Sequence, residues 1–181
     1  MQKTKEKILS TTYVALFAAL IAVCAFITIP LPSGVPITLQ TFGVFAALAI
    51  LGGRRGTAAI SVYILLGAVG VPVFAGFRGG IAVLLGPTGG YIAGFIIAAL
   101  IYWFITAKSN TAFTKIMGMI AVMFTYYLFG TIWYAVVTGA GASGLIAAAI
   151  KCVLPYIIPD AVKCAAALLI SNRVNSKLIG R

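Results

Sequence analysis

The sequence predicts an all-α integral membrane protein of six transmembrane helices with both ends in the cytoplasm. Three observations carry this. Of the 181 residues, 62% are apolar and 8% are charged, where a soluble domain carries about 25% charged residues; the mean hydropathy is +1.15. Apolar runs recur along the chain, separated by glycine and proline turns. The basic residues gather at alternate turns. At about 20 residues per crossing, the chain has room for about six or seven spans and no soluble catalytic domain. Residues 1–181 therefore read as one membrane domain.

The spans fall at 8–29, 37–51, 57–71, 88–106, 113–137 and 156–172. The first follows Lys3, Lys5 and Lys7. Its apolar core is longer than that of a secretory signal, so it reads as an uncleaved helix. Ala15, Ala18, Ala22 and Ala25 form a stripe on it, with Ala19 alongside. Small residues let helices approach closely in lipid. The stripe serves either packing in the bundle or docking of another membrane subunit.

The second and third spans are short and are divided by Gly52-Gly-Arg-Arg-Gly56. Short, interrupted segments often mark a binding site in transporters, because irregular backbone at membrane depth is tolerated only where it lines a cavity. Gln40, at the head of the second span, either meets a ligand or caps the helix entrance. In the stretch from Gly70 to Phe95, Gly86, Gly90 and Gly94 are spaced by four and put a groove on one face of the fourth span. The same stretch mixes Phe74, Phe77 and Tyr91 with one cation, Arg78. That mixture suits a ligand with an apolar body and an anionic end; the plain alternative is a tight external loop.

The fifth span ends with Tyr126, Tyr127, Trp133 and Tyr134, which read as an interfacial aromatic belt, although Trp133 also suits a pocket wall. Residues 145–154 are too short to cross and read as an extra outer helix. The sixth span is preceded by Pro155, and Pro159 reads as a first-turn residue. Next comes Asp160, the only acidic residue of the chain apart from Glu6, with Lys163 three residues later. On a helix these two share a face. A charge at membrane depth costs about 2.5–3.5 kcal/mol on insertion scales, so such residues are usually paired, inward-facing and functional.

Orientation follows from counting. With the N-terminus inside, Lys3, Lys5, Lys7, Arg54, Arg55, Lys108, Lys115, Arg173, Lys177 and Arg181 are cytoplasmic, ten of thirteen basic residues. That satisfies the positive-inside rule. It leaves Arg78 and Lys151 outside without a topogenic reason to be there.

Several functions are excluded. The basic residues flank spans and form no nucleic-acid face. The chain has no histidine, no phosphate loop and no metal cluster, and Cys24, Cys152 and Cys164 form no disulfide framework. An enzyme, a metal or cofactor site and a proton-relay pump are all disfavoured.

Pro36-Ile-Thr-Leu-Gln-Thr41, Gly70-Val-Pro-Val-Phe-Ala-Gly-Phe77, Gly86-Pro-Thr-Gly-Gly-Tyr-Ile-Ala-Gly-Phe95 and Pro159-Asp-Ala-Val-Lys163 resemble segments of BioY, the biotin-binding membrane subunit of energy-coupling-factor transporters. The resemblance implies biotin bound near the outer face of a six-helix bundle in the bacterial plasma membrane. It implies as partners a coupling transmembrane subunit and two cytoplasmic ATPase subunits, with Ala15, Ala18, Ala19 and Ala22 docking on the coupling subunit. In that setting Asp160 accepts a ureido N–H, and Lys163 donates to the ureido oxygen or holds Asp160. Arg78, or alternatively Lys163, meets the carboxylate, Tyr91, Phe74 and Trp133 pack the rings with Gly90 beside them, and Gln40 is an accessory contact. The alternatives are a binding subunit for another vitamin, a self-sufficient secondary carrier, or a structural subunit in which Asp160 and Lys163 act as a staple.

Overall fold

In lipid, backbone polar groups must bond within their own segment, so apolar runs become helices. The computed structural model describes residues 2–109, 111–141 and 144–179, with side chains from Thr4 to Val174. Arg181, Asn110, Ala142 and Ser143 lie outside the described residues, and Lys3 and Lys177 outside the described side chains. The helices are α1 (Gln2–Phe26), α2 (Gln40–Ala68), α3 (Ile81–Leu85), α4 (Gly89–Ala107), α5 (Ala112–Val137), α6 (Leu145–Cys152) and α7 (Leu154–Ile179). Between α1 and α2, β1 (Thr28–Ile29) pairs antiparallel with β2 (Ile37–Thr38), Thr28 opposite Thr38.

Among the described residues, four helical stretches are long and apolar enough to cross a membrane: Thr4–Phe26, Gly89–Ala107, Ala112–Val137 and Leu154–Val174. α2 is built differently. Gly52 has φ 78° and ψ 173° and breaks it into arms 40–51 and 53–68. Glycine adopts that backbone without steric cost. Gly56 sits against Ala47 and Leu48, so the arms fold back on each other. The expected turn at 52–56 is thus narrower than the sequence suggests, because only Gly52 leaves the helix.

Three other expectations change. Thr28–Ile29 and Ile37–Thr38, assigned to spans, form the small hairpin instead. The helix α3 interrupts the stretch after Arg78. α7 begins at Leu154, so Pro155 takes the tolerated first-turn position and Pro159 lies inside the helix. There Pro159 cannot donate the backbone bond that would reach the Pro155 carbonyl. α6 matches the outer helix expected at 145–154.

α1 packs along α2, α4 along α5, and α2 also meets α4 and α7, which makes α2 the centre. Its Val44, Phe45, Leu48, Ile60 and Tyr63 are fully buried. Ser171 donates to the Ala49 carbonyl at 2.6 Å, and Gly53 lies against Trp103. The Gly52 bend, the end of α4 and the later turns of α7 therefore share one end of the bundle, with Arg54, Arg55, Lys108 and Arg173 on those segments. The hairpin, residues 69–88 and α6 occupy the other.

Phe104, Phe124 and Val162 point outward, as suits hydrocarbon surroundings. The alanine stripe divides. Ala18 and Ala22 are 3% and 8% exposed and pack inward with Ile21 and Ala25, so they present no docking face. Ala15 and Ala19 face outward. Successive helix residues turn by about 100°, which carries Ala19 away from the buried line through Ala18.

Candidate functional site

The loops at the second end border a cavity with an open mouth. The hairpin, the start of the first arm of α2, residues 74–78, α4, α5, α6 and α7 all contribute walls. Asp160, Lys163, Gln40, Arg78, Tyr91 and Phe74 line it, six of the residues expected from the sequence.

Asp160 is 2% exposed and Lys163 9%, so both charges are out of water and must be satisfied by the protein. Lys163 Nζ is 2.7 Å from Asp160 Oδ1. It also donates to the Thr38 carbonyl at 2.7 Å and to Thr41 Oγ1 at 3.2 Å, which uses all three of its N–H groups. Thr41 Oγ1 in turn donates to Asp160 Oδ1 at 2.8 Å. On the other side, Tyr126 and Tyr127 donate to Oδ2 at 2.7 and 2.8 Å. The carboxylate therefore accepts four bonds, about its full capacity. Proline at 159 places Asp160 on the stretch of α7 that faces both the start of α2 and the middle of α5.

Gln40 contrasts with this saturated pair. It is 6% exposed, and its Nε2 has no partner. A buried donor left unmade costs about 1–3 kcal/mol, and Gln40, on the cavity lining, carries such an unspent N–H.

Residues 74–78 form a tight turn in which Phe74 and Arg78 exchange backbone bonds of 2.9 and 3.3 Å. Gly76 (φ 73°) and Phe77 (φ 55°) both take left-handed backbone there. The strain at Phe77 is offset by its ring stacking on Phe26, centroids 4.3 Å apart. The turn buries Phe74 edge-on against Tyr63 at 5.6 Å. It also brings Arg78 to the cavity, with its Nε donating to the Ala75 carbonyl at 3.2 Å. Tyr91 crosses toward α6, its hydroxyl 3.4 Å from the Cys152 carbonyl and 3.5 Å from Thr131 Oγ1.

Trp133 and Gly90 do not line the cavity. Trp133 Nε1 donates to the Gly86 carbonyl at 2.9 Å. Its side chain fills the space that a Cβ on Gly90 would need. The two fix α4 against α5 behind the wall.

The aromatic belt expected at the end of α5 is replaced by a set of internal donors. Besides Tyr126 and Tyr127, Tyr134 donates to the Ser33 carbonyl at 3.0 Å, and from α7 Tyr156 donates to that of Val35. Thr38, Thr41, Tyr126 and Tyr127 are the site residues that reasoning from the sequence missed. One signal was available. A buried carboxylate needs more donors than one lysine supplies, and the threonine and tyrosine hydroxyls of other spans are candidates to supply them.

The BioY family model matches residues 1–179. The chain belongs to the BioY family. Within BioY, a probable biotin transporter of Pyrococcus horikoshii is 42% identical over 172 residues, 95% of this chain and 97% of that protein. The biotin transporter BioY of Rhodobacter capsulatus is 35% identical, covering 91% and 92%. A crystal structure of the S-component for biotin from an ECF-type ABC transporter superposes with a TM-score of 0.81 at 29% identity, over 95% of this chain and 93% of that one.

Proposed function

We propose that this BioY-family chain binds biotin in the cavity and delivers it inward as the S component of an energy-coupling-factor importer. It is a transport subunit and not an enzyme; ATP hydrolysis belongs to partner subunits. The observation that carries the reading is the unspent Gln40 amide beside a buried Asp160–Lys163 pair, in a cavity walled by Phe74 and Tyr91. An apolar cavity with a few convergent polar groups is the form small-molecule sites take. Biotin matches it: its fused rings are apolar, its ureido group offers donors and an acceptor, and its tail ends in a carboxylate.

On this reading Asp160 accepts a ureido N–H. Lys163 holds Asp160 in place, a role its three filled bonds support over direct donation. Gln40 donates to a ligand oxygen. Phe74 and Tyr91 pack the rings, and Arg78, on the exposed turn at the mouth, meets the carboxylate. Trp133 and Gly90 support the wall that carries Tyr91.

The chain crosses the membrane six times, the two arms of α2 counting separately, with both ends cytoplasmic and the cavity at the outer face. The positive-inside distribution supports this orientation. The setting is the bacterial plasma membrane. The partners are a coupling transmembrane subunit, met through the outward Ala15 and Ala19, and two cytoplasmic ATPases.

The test is equilibrium binding of labelled biotin to the detergent-purified chain, with other vitamins as competitors. Saturable binding displaced by biotin alone supports the proposal. A folded protein that takes up no biotin would end it.

A further inference from the structure

The four donors on Asp160 pose a problem for any ligand that needs it. An arriving N–H finds no vacant acceptor position, so one donor must leave. Lys163 is a poor candidate, because its departure leaves two buried charges unpaired. Thr41 is held from both sides, accepting from Lys163 and donating to Asp160. The Tyr126 ring is 2% exposed and packed between Phe45 and Phe95, with Gly94 against its backbone. Tyr127 is only partly buried and borders the cavity; Thr41 shares both properties, but Tyr127 lacks the second bond that holds Thr41 in place.

We propose that the Tyr127 hydroxyl is a placeholder: it occupies the position on Asp160 Oδ2 that a ligand N–H takes, and yields it on binding. The released O–H turns to a neutral oxygen of the ligand. Hydrogen bonds are thus conserved across the exchange, and the carboxylate is never left short of donors in either state. Tyr127 is a positioning residue that sets how much of the ligand's interaction with Asp160 appears as affinity. The inference rests on the reading that Asp160 accepts a ligand N–H.

The sign of its main test follows from bond strengths. A hydroxyl bond to a carboxylate is roughly twice as strong as one to a neutral oxygen. Tyr127→Phe deletes the stronger bond from the empty protein and the weaker one from the complex. The variant should therefore bind biotin roughly fivefold more tightly, melt at a lower temperature when empty, and show a larger rise in melting temperature on saturation with biotin. Tyr126→Phe should weaken binding instead. Equal or weaker biotin affinity in Tyr127→Phe overturns the placeholder, as does equal tightening in Tyr126→Phe. A second readout leaves the fold untouched. With 3-fluorotyrosine placed at position 127, the fluorine resonance should move when biotin is added; an unmoved resonance at saturation overturns the proposal. Asp160→Asn separates the two levels. Wild-type affinity in that variant removes the underlying reading, whereas lost affinity there without tightening in Tyr127→Phe removes only the placeholder.

Discussion

At Asp160, donors from α2, α5 and α7 converge on one carboxylate, so substitutions there act on binding and stability together. Asp160→Asn leaves Lys163 buried without its counter-charge, a change that costs about 3–5 kcal/mol. Its loss of biotin binding therefore needs a control. The double variant Asp160→Asn with Lys163→Met removes both charges. It should recover most of the melting temperature while leaving binding lost; recovery of binding as well would show that the pair is only a staple. Gln40→Leu should move the two readouts in opposite directions. Removing the unspent donor should raise the melting temperature of the empty chain, while weakening biotin binding about tenfold, the loss of roughly one good hydrogen bond. Asp160 and Lys163 were legible in the sequence because charge is so costly in lipid. Gln40 was legible only as an ambiguity, and the missing partner of Nε2 supports the ligand contact proposed above. Tyr126 and Tyr127 were not legible, because their spacing at the end of a span is equally that of an interfacial belt; only the path of α7 decides between the two.

Among the helices, α1 and α2 show how far pattern reading reaches. The small-residue stripe on α1 was visible in the sequence, but its division between neighbours was not, since both faces are alanine-rich. Ala18 and Ala22 pack inward toward α2; Ala15 and Ala19 face outward. Ala15→Trp and Ala19→Trp should leave biotin binding by the isolated chain unchanged and abolish uptake by cells carrying the complete importer. Ala18→Trp should instead lower the melting temperature, because the added ring has no room against α2. Uptake that survives Ala19→Trp would move the docking face elsewhere. Pro159 makes the complementary point. A proline near a span's start suggests a boundary, yet Leu154 and Pro155 had already begun α7, two residues before the expected start at 156.

Across the whole molecule, the fold class and most of the helices were readable because hydrocarbon allows so few backbone solutions. The hairpin and α3 escaped, being too short for periodicity to register. The proposed orientation has a direct check. Lys108→Cys should be shielded from a membrane-impermeant maleimide in intact cells, and Lys151→Cys should be labelled. The three natural cysteines are buried, which keeps the background low. Labelling in the reverse order would invert the topology and put the cavity on the wrong side for an importer.

The bend at Gly52 also bears on how the chain enters the membrane during synthesis. Neither arm of α2 approaches the length of about 20 residues that holds a lone helix across a bilayer, and the first carries the polar Gln40 and Thr41. Neither arm can lodge alone, so they must partition as a closed pair once residue 68 has left the ribosome. Cysteines placed in the first arm should stay accessible to a water-soluble maleimide in nascent chains halted soon after Gly52, and become protected in chains halted well beyond Val71. The segment 38–41 that bonds Lys163 and Asp160 thus takes its place at the open end of that pair, opposite the Gly52 bend, before α7 is made.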